Sequence, residues 1–125
     1  MFLALLILVG CSAEISILVE TAVCTDYDFD DPDAEGIEVT NVEGDWHVSH
    51  KGVFHGCADV FDPDIEGRGK VVSVREYWEE RTEDDCTVCF APTVVLEQLP
   101  PGNYEVGWYV GEDATAVEVV TIEVE

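Results

Sequence analysis

The stretch Leu99-Pro100-Pro101-Gly102-Asn103-Tyr104-Glu105-Val106-Gly107-Trp108-Tyr109-Val110 decides the fold class. Pro101-Gly102 joins a fixed φ to a residue that tolerates positive φ, the pair that suits a type II turn. After the turn, Tyr104, Val106, Trp108 and Val110 recur at every second position, the period of a strand with one apolar face. The same period runs through Trp46, Val48 and His50, and through Val72 and Val74. No window offers a persuasive helical spacing. Periodicity therefore predicts strands over Glu14–Val23, Ile37–Val42, Asp45–Lys51, a short one near Cys57–Phe61, Lys70–Glu79, Thr93–Leu99, Tyr104–Val110 and Ala114–Glu123. In the last of these, Val117 and Val119 share one phase while Val120, Ile122 and Val124 share the other. That predicts a bulge near Val119 or a strand buried on both faces. Seven or eight short strands with tight turns make an all-β, antiparallel two-sheet sandwich the natural solution.

The L-P-P-G-x-Y run, followed by alternation, resembles the entry to a late strand in immunoglobulin-like sandwiches. There a tyrosine packs across a corner and its hydroxyl reaches nearby backbone. The resemblance implies an antiparallel immunoglobulin-like β-sandwich of seven or eight short strands. The Cys…Trp…Cys pattern of true immunoglobulin domains is not evident.

At the other end, Phe2 to Val9 is an unbroken apolar run ending in Leu8-Val9-Gly10-Cys11. The run is too short to span a bilayer as a helix but fits the apolar core of a signal segment. It resembles a bacterial-type lipoprotein signal; the other reading of the run is a buried first strand. That resemblance implies removal of residues 1–10 as a signal peptide and acylation of the Cys11 thiol. The mature protein would then be membrane-anchored and extracytoplasmic, on the outer membrane if the cell has one. No Lys or Arg precedes the run, a departure from the usual positive start. On this reading residues 11–35 form a lipidated N-terminus, first strand and acidic loop. Residues 36–125 complete a single domain that includes that strand.

Charge narrows the partners. The 125-residue chain has 28 acids against five bases, Lys51, Arg68, Lys70, Arg75 and Arg81, for a net charge of −23. It should repel nucleic acid and anionic headgroups. Apolar residues at 47% argue against disorder and for a folded domain with an acidic skin. The expected partners are the membrane, through the lipid, and a surface protein or glycan.

Four further cysteines, Cys24, Cys57, Cys86 and Cys89, read first as two disulfides in an exported chain. A redox Cys86-x-x-Cys89 pair is disfavoured. The segment is strand-like, no helix N-terminus lowers a thiol pKa, and Asp84-Asp85 would raise one. Cys57 joined to Cys86 or to Cys89, with Cys24 taking the other, would pin the acidic N-terminal loops to the sheets. The alternative is a tetrahedral zinc site of His50, Cys57, Cys86 and Cys89, a Cys₃His ligand set serving a binding module or metal-dependent enzyme. His50 shares the phase of Trp46 and Val48, so it is the histidine expected to face inward. His47 faces the other side with Ser49, and His55 completes the cluster of histidines. The residues His50, Cys57, Glu76 and Cys86–Cys89, followed by L-P-P-G-N-Y, also resemble a loose pattern in small exported bacterial β-proteins. That similarity spans about Asp45 to Val110 and implies a shared exported scaffold, not an activity.

Among the acids, Glu76 alone shares the strand phase of Val72, Val74 and Trp78, which marks it as a candidate buried carboxylate. Asp26, Asp28, Asp30, Asp31 and Asp33 form one possible calcium cluster, and Asp62, Asp64 and Glu66 another. Such a site would suit a calcium-dependent adhesion or surface module. An EF-hand is excluded, because a loop starting at Asp26 puts Asp31 and Ile37 where glycine and glutamate are required. Ser12, Ser16, Ser49 and Ser73 lack a triad setting, and no phosphate-binding loop occurs. The sequence thus predicts no enzyme and no obligatory cofactor. It predicts a lipid-anchored structural or binding protein.

Overall fold

The computed structural model describes residues 4–9, 14–24, 30–31 and 34–125. Among them are twelve strands: β1 (Ala4–Val9), β2 (Glu14–Val23), β3 (Gly36–Val42), β4 (Asp45–Lys51), β5 (Val53–Gly56), β6 (Val60–Phe61), β7 (Asp64–Arg68), β8 (Val71–Glu76), β9 (Trp78–Glu79), β10 (Thr87–Glu97), β11 (Gly102–Val110) and β12 (Glu118–Val124). Three sheets result, a mostly antiparallel all-β domain with sandwich-like packing. The expected seven or eight strands are too few. The segments VFHG of β5 and DIEGR of β7 were hidden by their polar or acidic residues, and the expected Lys70–Glu79 strand divides at Tyr77 into β8 and β9.

Sheet one runs β1-β2-β10-β4-β3, with β5 also on β10. Its spine is β10, eleven residues long. Along one edge β10 pairs with β2, from Phe90 opposite Val23 to Glu97 opposite Ser16. Along the other it pairs first with β5, Phe90 opposite Val53, and then with β4, Thr93 opposite Ser49. Residues 50–52 therefore face only Ala91 and Pro92, which makes a β-bulge. Gly52 supplies the left-handed backbone there, with φ 73°. Proline lacks the N–H that a central strand uses, and at this position it meets a ladder already interrupted. That is why β10 begins at Thr87 rather than at the expected Thr93.

Sheet two runs β12-β11-β8-β7. The β11–β12 and β7–β8 pairs are antiparallel, but β8 and β11 are parallel, with Val72 opposite Val106 and Val74 opposite Trp108. This corrects the expectation of a wholly antiparallel sandwich. The chain leaves β8 at one pole and returns along β10 in the other sheet. It therefore enters β11 at the pole where β8 began. β6 and β9 form a third, two-residue ladder.

Between the sheets lie Ile15, Ile17 and Val19 of β2, Val48 of β4, Val94 and Leu96 of β10, Val72 and Val74 of β8, and Val106 and Trp108 of β11. Each such side chain contributes roughly 1.5–3 kcal/mol when fully buried. Val120 and Val124 pack against this core and Ile122 is buried within it, while Val119 remains 54% exposed. The β11–β12 register is continuous from Gly102 opposite Val124 to Trp108 opposite Glu118. The bulge or two-sided burial expected near Val119 is therefore absent; β12 has one inward face.

The tyrosine corner forms as the L-P-P-G-x-Y run predicts. Connection 98–101 carries the chain from sheet one to sheet two, and buried Tyr104 donates its hydroxyl hydrogen to the Pro100 carbonyl at 2.7 Å. Burial pushes the Tyr104 pKa up. At the N-terminus, Leu8 and Val9 end β1, which pairs antiparallel with β2 from Ala4 opposite Val19 to Val9 opposite Glu14. Gly10 and Cys11 lie outside the described residues, as do Asp26, Asp28 and Asp33.

Candidate functional site

Glu76 ends β8 in phase with Val72 and Val74, so its side chain enters the space between the sheets. It is only 4% exposed. Three N–H donors converge on it from three elements. His50 of β4 donates through Nδ1 to Oε1 at 2.6 Å, and Trp108 of β11 donates through Nε1 to the same oxygen at 2.9 Å. Trp78 of β9 donates through Nε1 to Oε2 at 2.8 Å. An ionised carboxylate only accepts, so this geometry places a proton on His50 Nδ1. Burial alone would raise the Glu76 pKa. The hydrogen bonds from His50, Trp78 and Trp108 outweigh it and hold the carboxyl below the usual glutamate range. One carboxylate thus ties sheet one, sheet two and the small third sheet together. Among the described residues no buried side-chain nitrogen or oxygen lacks a partner.

A second carboxylate–imidazole pair lies across Trp78. The His55 ring of β5 stacks on Trp78 with centroids 4.2 Å apart and planes 14° from parallel. Its Nδ1 lies 3.2 Å from Asp59 Oδ2. Phe61 and Phe90 pack against Trp78 at 5.6 and 5.2 Å, and Phe61 stacks with Trp108 at 6.1 Å. The three tryptophans are therefore packing residues: Trp108 is fully buried, and Trp46 and Trp78 lean on the core. Tyr109 is half-buried beneath the Arg75 guanidinium, 4.7 Å from its ring centroid.

Asp59 fastens two loops. Its oxygens accept from the backbone N–H of Gly56 at 2.9 Å, Arg81 at 2.9 Å and Thr82 at 3.1 Å, and from the Thr82 hydroxyl at 2.9 Å. The Thr82 oxygen accepts in turn from the Ala58 N–H at 2.9 Å. Although burial opposes ionisation, the Arg81 N–H, the Thr82 hydroxyl, His55 and the Thr82 N–H hold the Asp59 carboxyl far below the usual range. The latch depends on Gly56. A Cβ there would stand 2.2 Å from Thr82 Oγ1 and 2.5 Å from Thr82 Cβ. Gly56→Ala should therefore push Thr82 off Asp59 and lower stability by about 1–3 kcal/mol. Urea unfolding checks this, and Thr82→Gly in the Gly56→Ala background, which removes both clashing atoms, should recover part of the loss.

Two disulfides brace the same end of the molecule. Cys24 joins Cys89 with Cα atoms 5.2 Å apart, beside a Cys24 N–H to Cys89 carbonyl bond of 2.9 Å between β2 and β10. Cys57 joins Cys86 with Cα atoms 5.4 Å apart, next to the Asp59 latch. This is one of the two pairings left open by the sequence.

Of the zinc candidates, Cys57 and Cys86 are brought together, but as a disulfide. Cys57, Cys86 and Cys89 are consumed in disulfides, and His50 is held by Glu76. Among the described residues no group of three or more histidine, cysteine or acidic side chains is arranged to hold a metal ion. Asp62, Asp64 and Glu66 are exposed. Of the serines, Ser49 bonds Thr93 at 2.7 Å and Ser16 bonds Glu97 at 2.8 Å, so neither engages His50 or His55. Sequence reading found Glu76 and the inward His50. It missed Asp59 and Thr82, whose link joins residues 23 apart and carries no periodic signal.

What the arrangement does chemically is orient two imidazoles through Nδ1 and lock three sheets and two loops. No family model matches the chain, and comparison with curated proteins and with solved structures likewise gives no match.

Proposed function

We propose that this chain is an exported, lipid-anchored, non-enzymatic domain that serves a structural or binding role outside the cytoplasm, on an immunoglobulin-like scaffold. The observation that carries the reading is the pair of disulfides, Cys24–Cys89 and Cys57–Cys86. Such bonds persist in oxidising compartments and are rare where thiols are kept reduced. The Leu8-Val9-Gly10-Cys11 signature supports the anchor, and the Tyr104 corner supports the immunoglobulin-like label. The buried carboxylates act on packing: each is committed to protein donors rather than poised on an open face.

Processing before Cys11 removes β1 and makes β2 the edge of sheet one. The eight residue pairs between β2 and β10 remain, together with Ile15, Ile17 and Val19 in the core. The processed domain therefore keeps its sandwich. Fatty-acid labelling in the native host, followed by mass analysis of the N-terminus, tests the anchor. The expected product begins at an acylated Cys11. Mature protein with an unmodified Met1 contradicts the reading.

A further inference from the structure

The lipid-anchor reading, on which this inference rests, constrains how the domain stands. Cys11 precedes Glu14, the first residue of β2, by three positions. Three extended steps span at most about 11 Å. A lipid on Cys11 therefore holds the start of β2 almost against the bilayer.

Strand directions show what else occupies that pole. β2 starts there, so antiparallel β10 ends there, β4 starts there and β3 ends there. That places turn 43–44 and connection 98–101 at the same pole, followed by the start of β11. Because β8 is parallel to β11 and antiparallel to β7, turn 69–70 joins them. Lys70 there lies over the Tyr104 ring, 5.8 Å from its centroid, and its carbonyl accepts from the Glu105 N–H at 2.9 Å. The opposite pole carries both disulfides, the Asp59 latch and the acidic runs Glu83-Asp84-Asp85 and Glu112-Asp113.

We propose that the pole made by turn 43–44, Arg68–Lys70 and Leu99–Pro101 lies against the lipid surface, with the strands standing away from it. The tether points this way: three residues are too few to let the domain turn over. Charge does not distinguish the poles: Arg68 and Lys70 stand at the near one with Glu43, Asp45, Glu97, Glu123 and Glu125, while Lys51, Arg75 and Arg81 stand toward the far one. The pole displayed to the medium is the disulfide-braced one. A partner outside the cell would meet it roughly 36 Å from the membrane, the length of an eleven-residue strand.

The chain has only two lysines, and they stand apart along the strands. Lys70 is exposed at the near pole, while Lys51 ends β4 toward the far pole, ion-paired with Glu38 at 3.0 Å. Their relative rates of acylation by a membrane-impermeant succinimidyl ester provide an internal ratio, read by mass spectrometry. Native acylated protein in phosphatidylcholine vesicles would be compared with the Cys11→Ser form mixed with the same vesicles. The Lys70-to-Lys51 ratio should fall several-fold in the anchored protein. An unchanged ratio on protein whose Cys11 is acylated overturns the orientation and leaves the anchor standing, as does selective loss of Lys51 labelling. Absence of the acyl group overturns both.

Discussion

Replacing Glu76 with alanine should cost roughly 3–5 kcal/mol of folding stability, the range for breaking a buried, hydrogen-bonded charge network. The deletion strands the N–H groups of His50, Trp108 and Trp78. A buried donor without an acceptor costs about 1–3 kcal/mol. Trp78 and His50 are partly open and recover some of this from water, but Trp108 is fully buried and cannot. Glu76→Gln keeps the shape but points an amide N–H₂ at one of the donors, so it should fall between wild type and alanine. The pair also separates charge from packing through pH. The folded Glu76 carboxyl has a lower pKa than the unfolded one. Its contribution is therefore complete above the unfolded value, about 4.3, and fades as pH falls through the depressed folded value. Neutralising the other acids relieves self-repulsion over the same range, so the informative quantity is the difference between wild type and Glu76→Gln. Urea unfolding from neutral to acid pH should show that difference shrinking as acid is added. A difference that stays constant would mean that the carboxylate charge contributes nothing to the tie.

Losing the Cys24–Cys89 bond should be of comparable size. It closes a 65-residue separation, and Cys57–Cys86 a 29-residue one nested within it. Chain-entropy arguments give about 4.3 kcal/mol for the longer loop and about 3.6 kcal/mol for the shorter when each is taken alone. The observed packing widens the gap. Asp59 holds the Cys57 loop to Arg81 and Thr82 without help from sulfur, so the Cys57–Cys86 bond constrains a segment already fastened. Cys24 directly follows β2, just beyond the β2–β10 ladder, and β2 contributes three core residues. The Cys24→Ser/Cys89→Ser protein should therefore melt below the Cys57→Ser/Cys86→Ser protein at matched salt. Cys57→Ser alone should lower the melting temperature and free Cys86, which is exposed and open to alkylation. The reverse order of melting would mean that the Asp59 latch does not hold its loop independently.

Some of this architecture is legible in the sequence. The bounds of β2 and β4 follow from apolar alternation, and Tyr104 forms its corner because connection 98–101 leaves the Pro100 carbonyl within reach. The phase rule also turns Glu76 and His50 inward, toward each other from facing sheets. Other features have no local signal. Pro92 reads as a break, yet β10 runs through it because the bulge at Gly52 falls opposite. β7 has one buried apolar residue, Ile65, amid charge, too little to mark a strand. The parallel β8–β11 pairing depends on the path of the whole chain between them. Asp59 reads as one acid among 28, and only the approach of two loops gives it five donors. Zinc chemistry suits thiolates and an inward imidazole. The fold instead spends the thiols on disulfides and the imidazole on Glu76.

The most direct test of a disulfide-braced exported domain is a non-reducing peptide map of the protein purified from its native host. Trypsin does not separate Cys86 from Cys89, so the cross-linked peptides must be fragmented between them. The expected result is Cys24 linked to Cys89, Cys57 linked to Cys86, and no bound zinc. Four free thiols with stoichiometric zinc would contradict the account.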